Sequence, residues 1–409
     1  MKNIIFSTIT GLSLTTLVGC SPSSSSSSVG SRVDSCSELN SATFNCRDML
    51  GGIVEHTVKP LVSDFSMKAQ TLKTDTAEYC ASIDESDEGL KLTAVRDSWT
   101  KTMATWQQLE IMQFGPLLAE REEFYSWPLN DSCKYDEEVV LSLVAGYDIN
   151  EGVTPARRGL GSLEYLVFNE SMGITCDGDG NTSSALSNWN NKSDVEKRQD
   201  RCSYAEKVSS DLTTRAERLV QSYAGYELAN DATSMQEATN LVSDALFYID
   251  KKTKDAKLTE LLPKSGSDTF KVNNLEFLYA DINKEAVDNN LAGALALMDG
   301  TNDEAGIKDY LIAAGQTDLA TDMIARLNEV ISHSEEISQS YRDILTAAGA
   351  ADVSNCINAD AGTVAATATD LEMLCSLDNK VKAFTDDLKS RFVLTLGFST
   401  PKEAEGDND

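Results

Sequence analysis

The fold class is decided by residues 92–109, which read LTAVRDSWTKTMATWQQL. Apolar side chains recur in this stretch at spacings of three and four, at Leu92, Val95, Trp99, Met103, Trp106 and Leu109. This period places them on one face of an α-helix. The pattern stops near Phe114-Gly115-Pro116, where glycine followed by proline is typical of a helix end.

The same period recurs in two later segments, so the sequence predicts an all-α protein. The apolar positions are Val208, Leu212, Leu219, Tyr223 and Tyr226 in the first segment, and Leu327, Val330, Ile331, Ile337, Tyr341, Ile344 and Leu345 in the second. We expect the second set to form one continuous helical face that stops at Gly349. No stretch alternates apolar and polar residues for long enough to predict a β-sheet.

Length and composition divide the chain into five expected parts. Residues 1–19 are predicted to be an export signal and residues 20–34 a serine-rich tether. We expect residues 35–205 and 206–400 to be two packed halves, each of the four-helix-bundle type. Residues 401–409 form an acidic tail.

The charge of the chain excludes one class of partner. Its 409 residues include 65 Asp and Glu against 35 Lys and Arg, for a formal net charge of −30. Phosphate backbones are bound by clustered Lys and Arg, and the sequence has no such cluster. Nucleic acid is therefore not an expected partner, and an apolar fraction of 41% is too high for a wholly disordered chain.

The first residues predict a lipid anchor in the cell envelope. The apolar start ends in Leu17-Val18-Gly19-Cys20, which resembles a bacterial lipobox. We expect Cys20 to carry a lipid that holds the protein at a membrane, although an ordinary signal peptide ending near a cysteine is the alternative. Ser21 favours the outer membrane of a Gram-negative bacterium, by analogy with enteric bacteria.

The remaining cysteines predict disulfides, because an exported chain matures in an oxidising compartment. Of nine cysteines, eight remain besides Cys20. Pairing of sequence neighbours gives the simplest set, Cys36–Cys46, Cys80–Cys133, Cys176–Cys202 and Cys356–Cys375. The sequence contains no CxxC pair, so it indicates neither a zinc knuckle nor a thioredoxin-like redox site.

The most informative segment for function is residues 154–168, TPARRGLGSLEYLVF. Thr154 and Pro155 are typical of a helix start, and Gly161 and Glu164 would then lie one turn apart on one face. Glu164 stands among apolar residues, where an unpaired carboxylate is costly. We expect its partner to be a cation, Arg157 or Arg158, or backbone donors; a purely structural carboxylate at a helix contact is the alternative.

At this point the sequence resembles a known family. Residues 159–168 are similar to the imelysin signature G-x-H-x-x-E-Y-L-L-F. Four further segments resemble imelysin-like proteins in the same order along the chain. They are residues 99–116, residues 127–129, residues 257–293 with Lys257, Glu276 and Tyr279, and residues 396–409.

The resemblance implies two packed helical bundles with a site near their junction, built around the H-x-x-E helix. Members are exported or lipid-anchored and are associated with bacterial iron acquisition, and the founding member was described as a metal-dependent peptidase. Glu164 matches the family glutamate, whereas Gly161 stands at the position of the histidine. Since glycine supplies no ligand, an iron or zinc site at Glu164 is in doubt.

Other candidate metal ligands are few. The only histidines are His56 and His333, and each is better explained as a surface or helix-edge residue than as a substitute ligand. Asp177, Asp179 and Asn181 have the spacing that opens a calcium loop. The glycine and glutamate that complete such a loop are absent, so a weak Ca²⁺ site is the alternative to a plain surface loop.

These observations predict a lipid-anchored, imelysin-like envelope protein that acts as a non-catalytic binding or accessory component in iron or other metal uptake. Its expected partners are the membrane, through Cys20, and an iron-transport system. We expect Glu164, helped by Arg157, Arg158 and Tyr165, to form the site. A divergent metal-dependent peptidase and a structural surface lipoprotein are the alternatives.

Overall fold

The structure, a computed structural model, describes Cys36, Leu39 and residues 44–176, 184–231, 234–263, 269–360 and 368–396. Over these ranges all regular elements are helical, which confirms the all-α prediction. In chain order, the α-helices are α1 (Cys46–Gly52), α2 (Lys59–Ala81), α3 (Glu88–Leu109), α4 (Pro116–Phe124), α5 (Ser132–Leu141), α6 (Leu160–Phe168), α7 (Asp194–Tyr223), α8 (Leu228–Asp231), α9 (Met235–Leu246), α10 (Asn283–Asp299), α11 (Ile307–Ala313), α12 (Thr317–Glu336), α13 (Tyr341–Ala347), α14 (Val353–Asp360), α15 (Asp370–Asp387) and α16 (Val393–Leu396).

Shorter helical segments complete the chain. Three π-helical segments adjoin α-helices and lie at Ile53–Val58, Ile249–Ala256 and Leu388–Phe392. Five 3₁₀ segments lie at Pro155–Arg157, Ser184–Asn191, Thr259–Leu261, Val272–Asn274 and Ala350–Asp352. Among the residues that the structure describes, no helix is long and apolar enough to cross a membrane.

The helix predicted from residues 92–109 is confirmed as α3. Val95, Trp99, Met103, Trp106 and Leu109 are all buried, as their spacing predicts. α2 packs on both α3 and α7, and α6 packs on α3 and α7 as well. These four helices form the part of the fold that carries the signature segment.

The later helices form a second layer around α10, α12 and α15. α10 also packs on α3, and Gly293 permits this approach. A Cβ at position 293 would lie 2.6 Å from the carbonyl oxygen of Gln108. The glycine therefore lets α10 lie directly against the end of α3, where the site is built.

The expected division near residue 205 falls inside a helix. α7 runs without a break from Asp194 to Tyr223 and packs on α2, α4, α5 and α6. The whole of α7 therefore belongs with the helices that precede it. A boundary at residue 205 would cut this helix and its buried face.

The expected continuous face from Leu327 to Leu345 is wrong in one respect. α12 ends at Glu336, Ile337 is extended, and α13 starts after Ser340, whose hydroxyl accepts a hydrogen bond from the backbone N–H of Asp343. The apolar residues stay buried across this break, with Ile331 only partly so, because both helices face the same core.

Two of the four predicted disulfides are confirmed and two are wrong. Cys36–Cys46 and Cys356–Cys375 pair as expected. The other bonds are Cys80–Cys202, with Cα atoms 5.4 Å apart, and Cys133–Cys176, with Cα atoms 4.5 Å apart. The packing of α2 on α7 brings Cys80 to Cys202 although 122 positions separate them, so closeness in sequence misleads here.

Several predictions lie outside the described residues. They are the export signal, Cys20, the serine-rich tether, the calcium-loop residues Asp177, Asp179 and Asn181, and the acidic tail. The lipid anchor and the weak Ca²⁺ site therefore stay predictions.

Candidate binding site

The signature helix α6 begins later than the sequence indicated. Thr154 and Pro155 start a short 3₁₀ turn, Pro155–Arg157, and α6 begins at Leu160 after Gly159. Gly159 has a φ of +79°, and a Cβ there would lie 2.5 Å from the carbonyl oxygen of Phe124. Only glycine fits both this conformation and this close approach, which sets the direction in which α6 enters the core.

Glu164 is held by backbone donors. Its side chain is buried, and Oε1 accepts hydrogen bonds from the backbone N–H groups of Tyr279 and Ala280, both at 3.0 Å. Burial raises the pKa of Glu164 to about 7, while these two hydrogen bonds favour the ionised form. Of the protein partners that the sequence left open, the backbone donors are the ones in contact with Glu164.

The two arginines of the predicted site point elsewhere. Arg157 pairs with Glu138 at 2.9 Å, and Arg158 pairs with Glu123 at 2.5 Å. Neither arginine lines the cavity beside Glu164. These ion pairs connect the segment before α6 to α4, through Glu123, and to α5, through Glu138.

Tyr165 belongs to a separate buried network. Its hydroxyl donates to Asp136 at 2.7 Å and accepts from Arg201 at 3.3 Å. Tyr165 is absent from the lining of the cavity at Glu164. Of the four residues predicted to act together, the structure therefore places only Glu164 at that cavity.

The position of the family histidine is filled in another way. The side chain of Asn130 lies directly against Gly161, with Nδ2 2.4 Å from where a Cβ of residue 161 would stand. Any larger residue at position 161 would displace Asn130. Glycine at position 161 and the amide at position 130 thus fit together as a pair.

Gly161 and Glu164 line a cavity of about 380 Å³. Three carboxyl side chains and three aromatic side chains lie in its wall, and Lys, Arg and His are missing from the described lining. The carboxyl groups are Glu164, Glu260 and Glu276, and the aromatic groups are Trp127, Tyr135 and Tyr279. Glu260 pairs with Lys271 at 3.1 Å, so the acidic excess at the cavity comes from Glu164 and Glu276.

A buried ion network forms the wall behind Glu276. The ammonium group of Lys257 lies 3.0 Å from Glu276 and 2.9 Å from Glu110, and it donates to Gln107 at 2.6 Å. Asn290 of α10 also donates to the Gln107 side chain. Burial and the nearby Glu110 raise the pKa of Glu276, while Lys257 opposes this shift. Two carboxyl groups share one cation, so the network has an acidic excess.

Neither histidine lies at the cavity. His56 faces Glu304, with 3.6 Å between Nε2 and Oε1, and both side chains are about half exposed. His333 lies beside α15, where Nε2 contacts the hydroxyl of Ser376 at 2.8 Å. Within the described parts of the chain, no three His, Cys, Asp or Glu side chains group closely enough to hold a metal ion.

The site residues that sequence reasoning did not assign come from segments that the resemblance had already marked. Trp127 lies in one such segment, Lys257, Glu276 and Tyr279 lie in a second, and Glu110 lies in a third. Their roles were hidden because each pairs across a long sequence separation, 147 positions for Lys257 with Glu110. The resemblance gave the order of these segments along the chain, but that order does not show which residues contact each other.

Fold and site together define an all-helical protein with an acid-lined cavity beside a buried signature helix. The family model for imelysin matches residues 62–371 of the chain. No curated protein matches the sequence significantly.

Two solved structures share the fold. An imelysin-like protein from Psychrobacter arcticum 273-4 has a TM-score of 0.64 and 17% identity, covering 90% of this chain and 98% of that chain. A candidate iron-regulated protein A precursor from Parabacteroides distasonis ATCC 8503 has a TM-score of 0.57 and 15% identity, covering 84% and 95%. The chain belongs to the imelysin family.

Proposed function

We propose that the protein is a non-catalytic binding component of the cell envelope, which acts in the uptake of iron or another metal and binds its cargo in the cavity at Glu164. The observation that carries this proposal is the pairing of Gly161 with Asn130. At the position where the family signature has a ligand, this chain has an amide packed on a glycine. The cavity itself is retained, with about 380 Å³ of space.

The residues at the cavity do not fit a resident metal centre. Gly161 supplies no ligand, Oε1 of Glu164 is used by two backbone N–H groups, and His56 and His333 have partners elsewhere. A metal that activates water for peptide cleavage is normally held by three protein ligands. This donor set therefore favours binding over the peptidase alternative.

The acidic wall suits a cationic cargo. Glu164 and Glu276 are buried at the cavity, and the cation nearest to Glu276, Lys257, is shared with Glu110. Glu260 is half exposed and pairs with Lys271. Burial, and with it the repulsion from Glu276, raises the pKa of Glu164, and a positive ligand would relieve that repulsion. Because three protein ligands are not grouped there, a metal cargo would keep ligands of its own.

Two further observations support the envelope location and the role in metal uptake. The sequence of residues 1–34 predicts export and a lipid on Cys20. The protein from Parabacteroides distasonis, with which this chain shares the fold, carries the name iron-regulated protein A. Both point to a role at the cell surface in metal supply, alongside a transport system.

Calorimetry on the purified protein tests the binding claim. The cations to use are Fe²⁺, Fe³⁺, Zn²⁺ and hexaamminecobalt(III), a complex that keeps its own six ligands. We expect saturable binding of at least one of them, weakened at least tenfold by Glu164→Gln. Glu170→Gln is the matched control, because that side chain is 82% exposed and away from the cavity.

Binding that is absent for all four cations, or that is equal in wild type and Glu164→Gln, would contradict the proposal.

A protease assay distinguishes the proposed binding protein from the main alternative, a metal-dependent peptidase. Cleavage of an unfolded substrate by the pure protein, sensitive to EDTA and lost in Glu164→Gln, would show that the protein is a peptidase.

A further inference from the structure

We infer that the group bound in the cavity at Glu164 is an organic ammonium, a primary amine in its protonated form carried on an apolar or aromatic body. This inference rests on the proposed function, in that it takes the cavity to be a binding site. It goes further by naming the chemistry of the ligand. The reasons are the hydrogen-bond acceptors at the cavity, the aromatic wall and the way in which the protein binds its own lysine.

One hydroxyl at the cavity is buried without a partner, and one carboxyl group can accept further hydrogen bonds. Both hydrogen bonds described for Glu164 go to Oε1, which leaves Oε2 to accept from a ligand. The hydroxyl of Tyr135 is buried, with the residue only 2% exposed, and it lacks a partner among the described residues. Buried polar groups without partners are uncommon and costly in native proteins. An ammonium group has three N–H donors and could donate to both oxygens.

The remaining lining of the cavity is apolar and aromatic, which suits an organic molecule. Trp127, Pro128, Leu278 and Tyr279 supply apolar and aromatic surface to the same cavity. A volume of about 380 Å³ is in the range of small-molecule pockets and far exceeds that of a single bare ion. Aromatic faces also attract cations directly. Acceptors and aromatic walls together fit a cation with a carbon body better than a metal ion.

The protein already binds an ammonium group of its own in this manner. The Lys257 ammonium lies between the carboxyl groups of Glu110 and Glu276, and it is 6.0 Å from the centroid of the Trp127 ring. Glu276 and Trp127 also line the cavity. An ammonium ligand beside Glu164 would therefore meet the same types of group, carboxyl and aromatic, that hold Lys257.

The test uses three ligands of nearly equal shape and different charge, which are benzylamine, benzyl alcohol and benzoate. Each is titrated into the full-length protein at neutral pH and followed by calorimetry. We expect saturable binding of benzylamine and at least tenfold weaker binding of the alcohol and of benzoate. Glu164→Gln and Tyr135→Phe should each weaken benzylamine binding at least fivefold, whereas Glu170→Gln should not change it.

Equal binding of the amine and the alcohol, or amine binding that neither cavity variant weakens, would overturn the inference. If benzylamine does not bind but a metal cation does so through Glu164, the ammonium assignment fails and the proposed function stands. If benzylamine binds and none of the four inorganic cations does, the ammonium assignment stands and the metal cargo is ruled out. If neither class of cation binds, both fail. Tyr135→Phe removes only one oxygen atom, so it keeps the test valid if Glu164→Gln does not fold.

Discussion

The side-chain amide of Asn130 occupies the space that a side chain at Gly161 would need, with Nδ2 2.4 Å from the ideal Cβ position. Asn130 comes just before α5 and Gly161 lies in the first turn of α6. Through this contact, the first turn of α6 packs against the segment that follows Trp127. This contact explains why glycine is structurally suited to position 161 in this chain.

A double-mutant cycle measures this contact. Gly161→Ala should lower the free energy of unfolding by about 1–3 kcal/mol, because the added Cβ forces Asn130 to move. In an Asn130→Gly background the same change should cost much less, and the higher helix propensity of alanine could make it stabilising. Urea denaturation of the four proteins gives the coupling energy. Equal costs in both backgrounds would show that Asn130 does not set the residue at position 161.

Restoring the family histidine tests whether Gly161 limits the affinity of the cavity for Zn²⁺. In the double variant Gly161→His, Asn130→Gly, the three atoms nearest to the Cβ of residue 161 are removed, and residue 161 stands one turn from Glu164 on the same helix face. We expect this variant to bind Zn²⁺ at least tenfold more tightly than wild type, measured by equilibrium dialysis with elemental analysis. Adding Glu164→Gln should abolish the gain. Equal Zn²⁺ binding by the double variant and wild type would contradict this account.

The raised pKa of Glu164 predicts how stability depends on pH. Its pKa lies at about 7 in the folded protein and near 4.5 when the carboxyl is solvated, so the folded state holds this proton more tightly. The stabilisation is full below about pH 4.5 and is lost as the pH rises through 7. The shift corresponds to roughly 3 kcal/mol at most.

The measurement compares wild type with Glu164→Gln, whose amide oxygen can still accept the hydrogen bonds from Tyr279 and Ala280. Urea denaturation at pH 4.5 and at pH 8 gives the difference in unfolding free energy at each pH. That difference should shift by up to about 3 kcal/mol in favour of the variant at pH 8. A difference that does not change with pH would mean that Glu164 keeps an ordinary pKa.

Sequence reasoning found the helices because their signal is local. The spacing of Val95, Trp99 and Trp106 is enough to place one face of α3 in the core. The same rule failed at Ile337, since a break between two helices that face one core leaves the apolar spacing almost unchanged. Local patterns therefore gave the fold class but not every helix end.

The candidate site was only partly predictable because its contacts are not local. The sequence singled out Glu164 from its apolar neighbours and showed that Gly161 replaces the histidine. It could not show that Asn130 fills the vacated space, as no spacing rule links the two positions. Glu164 likewise accepts a hydrogen bond from the backbone N–H of Tyr279, 115 positions away. Every residue except proline has a backbone N–H, so the residue type at position 279 does not predict this bond.

The network at Lys257 predicts a large loss of stability on removal of the cation. Lys257→Met leaves the buried carboxyl groups of Glu110 and Glu276 facing each other, so we expect a cost of about 3–5 kcal/mol. Adding Glu276→Gln should recover part of it by removing one of the two charges. Lys271→Met is the control, because its partner Glu260 is half exposed and such surface pairs contribute about 0–1 kcal/mol.

Thermal or urea unfolding of these variants decides the point. If Lys257→Met and Lys271→Met cost the same, the buried network contributes no more than a surface pair. If Glu276→Gln brings no recovery, repulsion between the two carboxyl groups is not the cause of the loss.

The disulfide between Cys80 and Cys202 should contribute more to stability than the one between Cys356 and Cys375. The first joins α2 to α7 across 122 positions and the second closes only 19. In the chain-entropy description these loops correspond to about 5 and about 3 kcal/mol of stabilisation, because the longer crosslink restricts the unfolded chain more. Double alanine variants of each pair, unfolded by urea under oxidising conditions, measure the two contributions. A larger loss for the Cys356–Cys375 pair would show that loop closure in the unfolded chain is not the dominant effect.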